Sequence, residues 1–172
     1  EGRAHVQNGC LVPWHSQDVL KIVVLNRYAG RAPVAIGFVR GFGLQCGALA
    51  SSVAHDSHNI VAVGCDDSAI CAAVNAIIES KGGVSATDGQ GDVRILPLPI
   101  AGLMSDRPGE QLAQDYAAID AWVKSALGCV LRAPFMTLSF LALPVIPALK
   151  MTDLGLFDVQ SFEFTDVELP LS

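Results

Sequence analysis

The densest group of titratable and polar side chains in this sequence lies in the run SVAHDSHNIVAVG, residues 52–64. Five consecutive positions carry side chains that bind protons, metals or hydrogen-bond partners: His55, Asp56, Ser57, His58 and Asn59. Neutral imidazoles are ligands for Zn, Fe or Mn, and a carboxylate between them adds an oxygen ligand. A serine, a histidine and an aspartate are also the components of a hydrolase triad. The run therefore raises two kinds of chemistry, metal binding and nucleophilic catalysis.

Spacing and motif context argue against a complete site of either kind within this run. In an extended strand the two histidines would lie on opposite faces, although a turn would relieve this. A metal site needs three or four convergent ligands, and the other histidines, His5 and His15, lie in an irregular segment. A triad of Ser52, His55 and Asp56 would lack the GxSxG elbow, and the HxE and PCxxC motifs of zinc deaminases are absent. We expect no metal site in this chain alone.

Two interpretations of the polar run stay open from spacing. Its side chains complete a site whose other half lies elsewhere, or they form a hydrogen-bonded turn with a structural role. The nearby glycine-rich run RGFGLQCG, residues 40–47, is not a phosphate loop, because its pattern is GxGxxxG and a strand rather than a helix follows it. Close backbone approach or a sharp bend of the sheet explains these glycines better.

The segments around the polar run are predicted to form strands. Runs rich in apolar and β-branched residues predict strands over 19–27, 35–42, 44–54 and 60–64. After Cys65 the period becomes helical, with Asp66, Asp67 and Ser68 as possible N-caps and an end near Gly82. Residues 84–87 and 93–98 flank an Asp-Gly turn and predict a hairpin.

A second helix is predicted to begin at Pro108 and to end at Gly128, with one apolar face. The following apolar tail is interrupted by prolines and predicts no definite element. The fold class expected is α+β: one domain with a mixed, largely antiparallel sheet and packed helices, covering 18–172. Residues 1–17 are expected to be an irregular opening segment or linker.

Composition limits the partners of this chain. Hydrophobic residues make up 51% and charged residues only 16%, against the usual value of about 25% charged. No apolar run reaches the roughly 20 residues of a membrane-spanning helix, so a buried protein interface accounts best for the missing surface charge. The net charge of −6 and the scattered arginines argue against nucleic acid. Five cysteines without a CxxC pair predict reduced thiols in the cytoplasm. Because the first residue is Glu1, we expect a part of a longer protein.

Three blocks of the sequence closely resemble the C-terminal domain of the prokaryotic adenine deaminases of the amidohydrolase superfamily. They are GFVRGFGLQCGALASSVAHDSHNIVAVG, LPLPIAGLMSD and PFMTLSFLALPVIPALKMTDLGLFDV, and the similarity spans roughly Asp18 to Phe164. The resemblance implies hydrolysis of adenine to hypoxanthine and ammonia at a binuclear Mn or Fe centre. That centre would lie in a (β/α)₈ barrel preceding this domain in the full chain. The expected partners are that barrel, adenine and, in a homo-oligomer, further copies of the chain.

The resemblance also implies roles for individual residues. It makes the polar run a candidate for closing the active site, with these catalytic candidates: His55, Asp56 and His58. We expect all five polar residues, 55–59, to lie where two strands end and to face the interdomain cleft rather than the core of this domain, because burial without partners is costly. The substrate-binding candidates are Ser57, Asn59 and Arg27. Family members tend to carry an E-R-H-type run after the first strand, whereas this sequence has Leu25-Asn26-Arg27-Tyr28 and keeps only the arginine.

We expect this segment alone to be inactive and to hold no cofactor of its own. The alternative is a standalone, non-catalytic module of the same fold that binds a purine or a partner protein.

Overall fold

The computed structural model describes residues 5–31 and 33–167. Its helices are α1 (Asp67–Glu79), α2 (Gly109–Ala126) and α3 (Pro134–Leu141), with a short 3₁₀ turn at His15–Gln17. Its strands are β1 (Val6–Gln7), β2 (Cys10–Leu11), β3 (Leu20–Leu25), β4 (Ala35–Val39), β5 (Ala48–Ser51), β6 (Ile60–Gly64), β7 (Gly83–Thr87), β8 (Val93–Pro97), β9 (Leu149–Thr152), β10 (Gly155–Asp158) and β11 (Glu163–Phe164). None of the described helices is long and apolar enough to cross a membrane.

A six-stranded sheet in the order β4-β3-β6-β5-β7-β8 forms the centre of the fold. All pairings among the described strands are antiparallel. The central strand β6 is buried along its whole length, as its uninterrupted apolar sequence predicts. Its first residue, Ile60, pairs with Leu25 at the end of β3. The predicted α+β class is confirmed.

The sheet lies between two unequal layers. Helix α1 covers one face, where Ile70 and Ile77 pack on Ala62 of β6. Helices α2 and α3 and the β9–β10 hairpin cover the other face, where Leu138 of α3 joins the cluster around Val61. Successive residues of β6 thus contribute to different layers, as the twofold alternation of a strand requires. Burial of these side chains on both faces supplies the main stabilisation of the fold.

The predicted helices and hairpin are confirmed. Helix α1 begins after Asp66, whose carboxylate accepts a hydrogen bond from the Ala69 amide at 2.8 Å, so Asp66 is the N-cap. Strands β7 and β8 pair as the predicted hairpin. Helix α2 ends before Gly128 and buries Ile119 and Val123 on the face that the sequence pattern indicated.

The strand predicted over 44–54 is shorter than expected, because it begins only at Ala48 and ends at Ser51. Gly43 and Gly47 have φ of 72° and 70°, a conformation that interrupts an extended strand. A Cβ on Gly47 would lie 1.9 Å from the carbonyl oxygen of Thr87. Close backbone approach at this glycine, one of the two interpretations of the GxGxxxG run, is therefore confirmed.

Both ends of the chain contain structure beyond the sequence-based prediction. In the opening segment β1 pairs with β2 around Asn8 and Gly9, whose φ values of 52° and 77° suit a two-residue hairpin turn. In the tail, α3 precedes a three-stranded sheet in the order β11-β10-β9. The placement of a domain boundary between residues 17 and 18 stays a prediction.

Candidate functional site

The polar run forms the connection between the two central strands, β5 and β6, at one end of the strands of the central sheet. Strand β5 ends at Ser51, β6 begins at Ile60, and residues 55–57 form a turn. The turn is closed by a hydrogen bond of 2.7 Å from the His58 amide to the Ala54 carbonyl. The predicted position of the run between two strand ends is therefore confirmed.

His55 is held by helix α3. Its Nδ1 lies 2.5 Å from Oγ of Ser139, a residue that is itself buried, and its ring lies 5.1 Å from the ring of Phe140, measured between centroids. The hydrogen bond joins residues 84 positions apart in the chain. Ser139 and Phe140 are thus neighbours of this candidate residue that sequence reasoning missed, since an uncharged helical serine and a phenylalanine give no local signal.

Asp56 and Ser57 form the exposed tip of the turn. Ser57 Oγ accepts a hydrogen bond from the Asn59 amide at 3.4 Å, whereas the Asp56 carboxylate makes no hydrogen bond or ion pair with a described residue. A carboxylate in this position remains available to water, a ligand or another domain. Of the three catalytic candidates, Asp56 is the one that an external group can reach directly.

His58 and Asn59 bring polar atoms into the domain without a partner among the described residues. These atoms are Nδ1 of His58 and Oδ1 of Asn59. Asn59 is only 3% exposed, so the expectation that all five polar residues face away from the core is wrong for this side chain. The reason is local, because Asn59 directly precedes the fully buried strand β6. An unpaired buried polar group costs about 1–3 kcal/mol, which favours a water or an external group at these atoms.

Arg27 connects the turn to the loop after β8. Its Nε donates to the carbonyl of His58 at 2.6 Å, and its Nη2 donates to the carbonyl of Ala101 at 2.5 Å. The guanidinium packs so closely that a Cβ on Gly102 would lie 2.3 Å from Nη1. The retained arginine of the E-R-H-type run thus positions the backbone of the candidate site, and a role in substrate binding stays a prediction.

Ser52 does not belong to a catalytic triad. Its fully buried Oγ donates to the carbonyl of Gly102 at 2.6 Å and accepts from the amide of Gly83 at 2.8 Å. The hydroxyl therefore joins β5 to β7 and to the loop after β8, while His55 is paired with Ser139 instead. Within residues 5–31 and 33–167, no three His, Cys, Asp or Glu side chains are grouped closely enough to hold a metal ion.

A cavity of about 480 Å³ opens at the same end of the strands, on the side covered by α1. Its lining includes the cationic side chains of Arg27, Arg31 and Lys81, the polar Asn26 and Ser52, and several apolar residues. No residue of the turn 55–59 lines it. The cavity and the turn are thus separate features at the same end of the strands. Arg27 connects them, because it lines the cavity and donates a hydrogen bond to the His58 carbonyl.

The fold is an α+β domain with a polar turn at one end of its central strands. Several polar groups of this turn have no hydrogen-bond partner among the described residues, and the described residues do not form a metal centre. Residues 1–163 match the family model described as the adenine deaminase C-terminal domain. The chain belongs to this family. The match also includes the first 17 residues, in which the sequence blocks showed little similarity.

Relatives named adenine deaminase are similar to most of this chain. The protein from Salinibacter ruber is 55% identical over 159 residues, which are 92% of this chain and 29% of that protein. The one from Sulfurovum sp. is 56% identical over 151 residues, 88% of this chain and 28% of the relative. The one from Archaeoglobus fulgidus is 52% identical over 153 residues, which are 88% of this chain and 27% of the relative. The chain therefore spans less than a third of the length of these relatives.

Proposed function

We propose that this chain is the C-terminal part of an adenine deaminase, a hydrolase that converts adenine and water into hypoxanthine and ammonia. The observation that carries the proposal is the family match over residues 1–163, together with 55% identity to a relative of which it covers 29%. Adenine catabolism, purine salvage and a cytoplasmic location are parts of the same proposal. The five cysteines, all free thiols in the structure, agree with a reducing compartment.

The metal chemistry is assigned to the part of the protein outside this chain. Deamination of this type requires a water activated by a metal ion. The described residues do not fit a binuclear Mn or Fe centre, because no three of their metal-ligating side chains converge. We therefore place the centre in a (β/α)₈ barrel that precedes this domain and on which the domain docks. The matched relatives have more than two thirds of their length available for such a barrel.

The turn at residues 55–59 is proposed to close the active site. Asp56 is exposed without a partner among the described residues, and His58 and Asn59 each have a buried polar atom that no described group satisfies. A purine presents several hydrogen-bond donors and acceptors, so the exposed Asp56 carboxylate suits its edges directly, whereas the buried atoms of His58 and Asn59 would reach it through a bridging water. In this arrangement His55 is oriented by Ser139, and Arg27 fixes the His58 backbone.

A graft tests the proposed activity. The 159 matched residues of the Salinibacter ruber adenine deaminase are replaced by this chain, and ammonia release from adenine is measured with Mn or Fe. The graft should deaminate adenine, whereas this chain alone and the relative truncated before the matched segment should not. Turnover by this chain alone, or loss of activity in a graft that is folded and metal-loaded, would contradict the proposal.

Two substitutions in the graft test the role of the turn. Asp56→Asn and His58→Gln should lower kcat/KM about tenfold to a hundredfold, the effect of losing one hydrogen bond to a charged group. For Asp56→Asn the melting temperature should stay unchanged, since its carboxylate bonds no described residue. A fall in melting temperature with unchanged kcat/KM would show that the turn has only a structural role.

The standalone purine-binding or interaction module is not favoured. The relatives in which this segment occurs are named adenine deaminase and extend well beyond it. A homo-oligomer of the whole protein stays a prediction, measurable by light scattering of the active graft.

A further inference from the structure

The longest uncharged stretch near the candidate site is residues 133–149, which contains no Asp, Glu, Lys, Arg or His. It comprises helix α3 and the connection to β9. A surface segment of a soluble domain normally presents charged or polar side chains to water. The absence of charge over this length therefore indicates that more than one side of the segment is covered.

Helix α3 is apolar on its inner and its outer face. Phe135 and Leu138 are buried in the core, with exposures of 3% and 0%. Met136 and Phe140, four residues apart and therefore neighbours on the helix surface, are 48% and 39% exposed. A helix that is apolar all round is one that is covered all round. Within the described residues the outer face of α3 is only partly covered, by the ring of His55 against Phe140.

The connection that follows the helix in the chain also presents apolar side chains. Val145 is 69% exposed, Ile146 41% and Leu149 50%. We use the name α3 patch for these five side chains: Met136, Phe140, Val145, Ile146 and Leu149. Contiguous exposed apolar patches mark interaction sites, whereas single exposed apolar residues do not.

The α3 patch adjoins the candidate site. Phe140 belongs to the patch and packs its ring against His55 at 5.1 Å, and the neighbouring Ser139 bonds His55 Nδ1. A partner seated on the patch would therefore lie next to the turn at residues 55–59.

We propose that the α3 patch is the surface on which the remainder of the longer polypeptide, the proposed barrel, docks against this domain. The inference rests on the proposed function and adds the surface and its orientation. Two observations favour this occupant: the matched relatives are more than three times as long as this segment, and the patch is uncharged, as the core of a permanent interface is. Docking here brings Asp56 to the domain boundary.

Methionine oxidation measures the coverage of the patch. The structure offers Met136, in the patch and 48% exposed, and Met151, buried at 3%. An I78M variant adds a probe on α1, across the sheet from α3, at a site that is 52% exposed. The rates of oxidation by dilute peroxide are measured by mass spectrometry in this chain alone and in the graft of this chain onto the Salinibacter ruber protein.

In the chain alone, Met136 and the I78M probe should react at similar rates because their exposures are similar, while Met151 reacts slowly and so reports that the chain is folded. In the graft, Met136 should react about tenfold more slowly than the I78M probe, since sulfoxide formation follows exposure. If Met151 reacts fast in the chain alone, the ratio within the graft decides.

Three results would overturn the inference. Met136 as reactive as the I78M probe in the graft would show that the patch is open. Equal protection of both probes would show that coverage is not confined to the patch. Protection of Met136 in the chain alone that rises with protein concentration would assign the patch to a second copy. A graft that deaminates adenine with Met136 unprotected would contradict the docking surface and support the proposed function. An inactive graft with Met136 protected would support the docking surface and contradict the proposed function.

Discussion

Arg27 connects the candidate site to a neighbouring loop at the same end of the central strands. Two of its hydrogen bonds join the His58 and Ala101 carbonyls, which belong to separate loops. Arg27→Gln should lower the free energy of unfolding by about 1.5–3 kcal/mol, the range for a hydrogen bond from a charged donor. Urea denaturation monitored by circular dichroism measures the change.

Arg31 supplies a matched control for this substitution. It is exposed and makes no hydrogen bond to a described residue, although it lines the same cavity as Arg27. Arg31→Gln should therefore change the free energy of unfolding by no more than about 0.5 kcal/mol. Equal losses for the two variants would mean that removal of positive charge, rather than loss of the hydrogen bonds to the two carbonyls, causes the effect.

Asp66 should make the stability of α1 depend on pH. Burial acts to raise its pKa, but hydrogen bonds from the Ser68 hydroxyl and from the Ala69 and Ser68 amides outweigh burial and leave the pKa below its usual value. Because the pKa is lower in the folded state, the ionised carboxylate stabilises the protein. This stabilisation is fully present above the unfolded value of 3.8 and is lost as the pH falls through the folded value. Asp66→Ala should cost about 1 kcal/mol at pH 7, and the difference from the unsubstituted chain should shrink in acid.

Asp66→Asn separates the charge of the cap from its geometry. Asparagine caps a helix about as well as aspartate but does not titrate in this range. Its free energy of unfolding at pH 7 should stay close to that of the unsubstituted chain, without the acid-dependent loss from this site. Thermal unfolding at pH 7 and near pH 3 gives both quantities, and a constant Asp66→Ala deficit across this range would refute the proposed linkage.

The connection before β5 depends on the absence of a side chain at Gly47. A Cβ there would overlap the Thr87 carbonyl of β7, and its φ of +70° is also unfavourable for any other residue. Gly41 has a φ of +98° but open space around it. Gly41→Ala should cost about 1–2 kcal/mol from the backbone alone. Gly47→Ala should cost about 1–3 kcal/mol more, because the backbone must also move.

Chemical denaturation of both alanine variants measures this difference. A Gly47→Ala protein that does not fold, next to a folded Gly41→Ala protein, agrees with the prediction. Equal free energies of unfolding would show that the strand approach at Gly47 is not tight. The comparison concerns the junction of β5 with β7, at the end of the strands opposite the candidate site.

The reactivity of the five thiols tests the fold as a whole. Cys10 and Cys71 are exposed, Cys129 is buried, and Cys46 and Cys65 are partly covered. Burial, with smaller contributions from Cys46 and two nearby aspartates, raises the pKa of Cys65 to about 12, so its thiol stays protonated and unreactive at pH 8. In the native chain a chromogenic disulfide reagent should titrate Cys10 and Cys71 quickly, and all five thiols after unfolding. Rapid native reaction of Cys65 or Cys129 would contradict the packing around the sheet.

The elements that the sequence determined are those with a local cause. Strand β6 follows from an unbroken apolar run, α1 from the Asp66 cap and its helical period, and the β7–β8 hairpin from its Asp-Gly turn. Each signal lies within a few neighbouring residues, so it can be read along the chain. The three sequence blocks likewise sufficed to indicate the family, which the match over residues 1–163 confirms.

Helix α3 and the arrangement of the site were decided only by tertiary structure. Because α3 has large apolar residues on both its buried and its exposed side, it has no hydrophobic period for the sequence to reveal, and its formation depends on packing against β5 and β6. His55 meets Ser139 across 84 residues, and Arg27 meets Ala101 across 74. Asn59 is buried by the neighbouring β6 although its polarity suggested exposure. Contacts between distant segments depend on how the sheet and its covering layer assemble, and no local pattern encodes them.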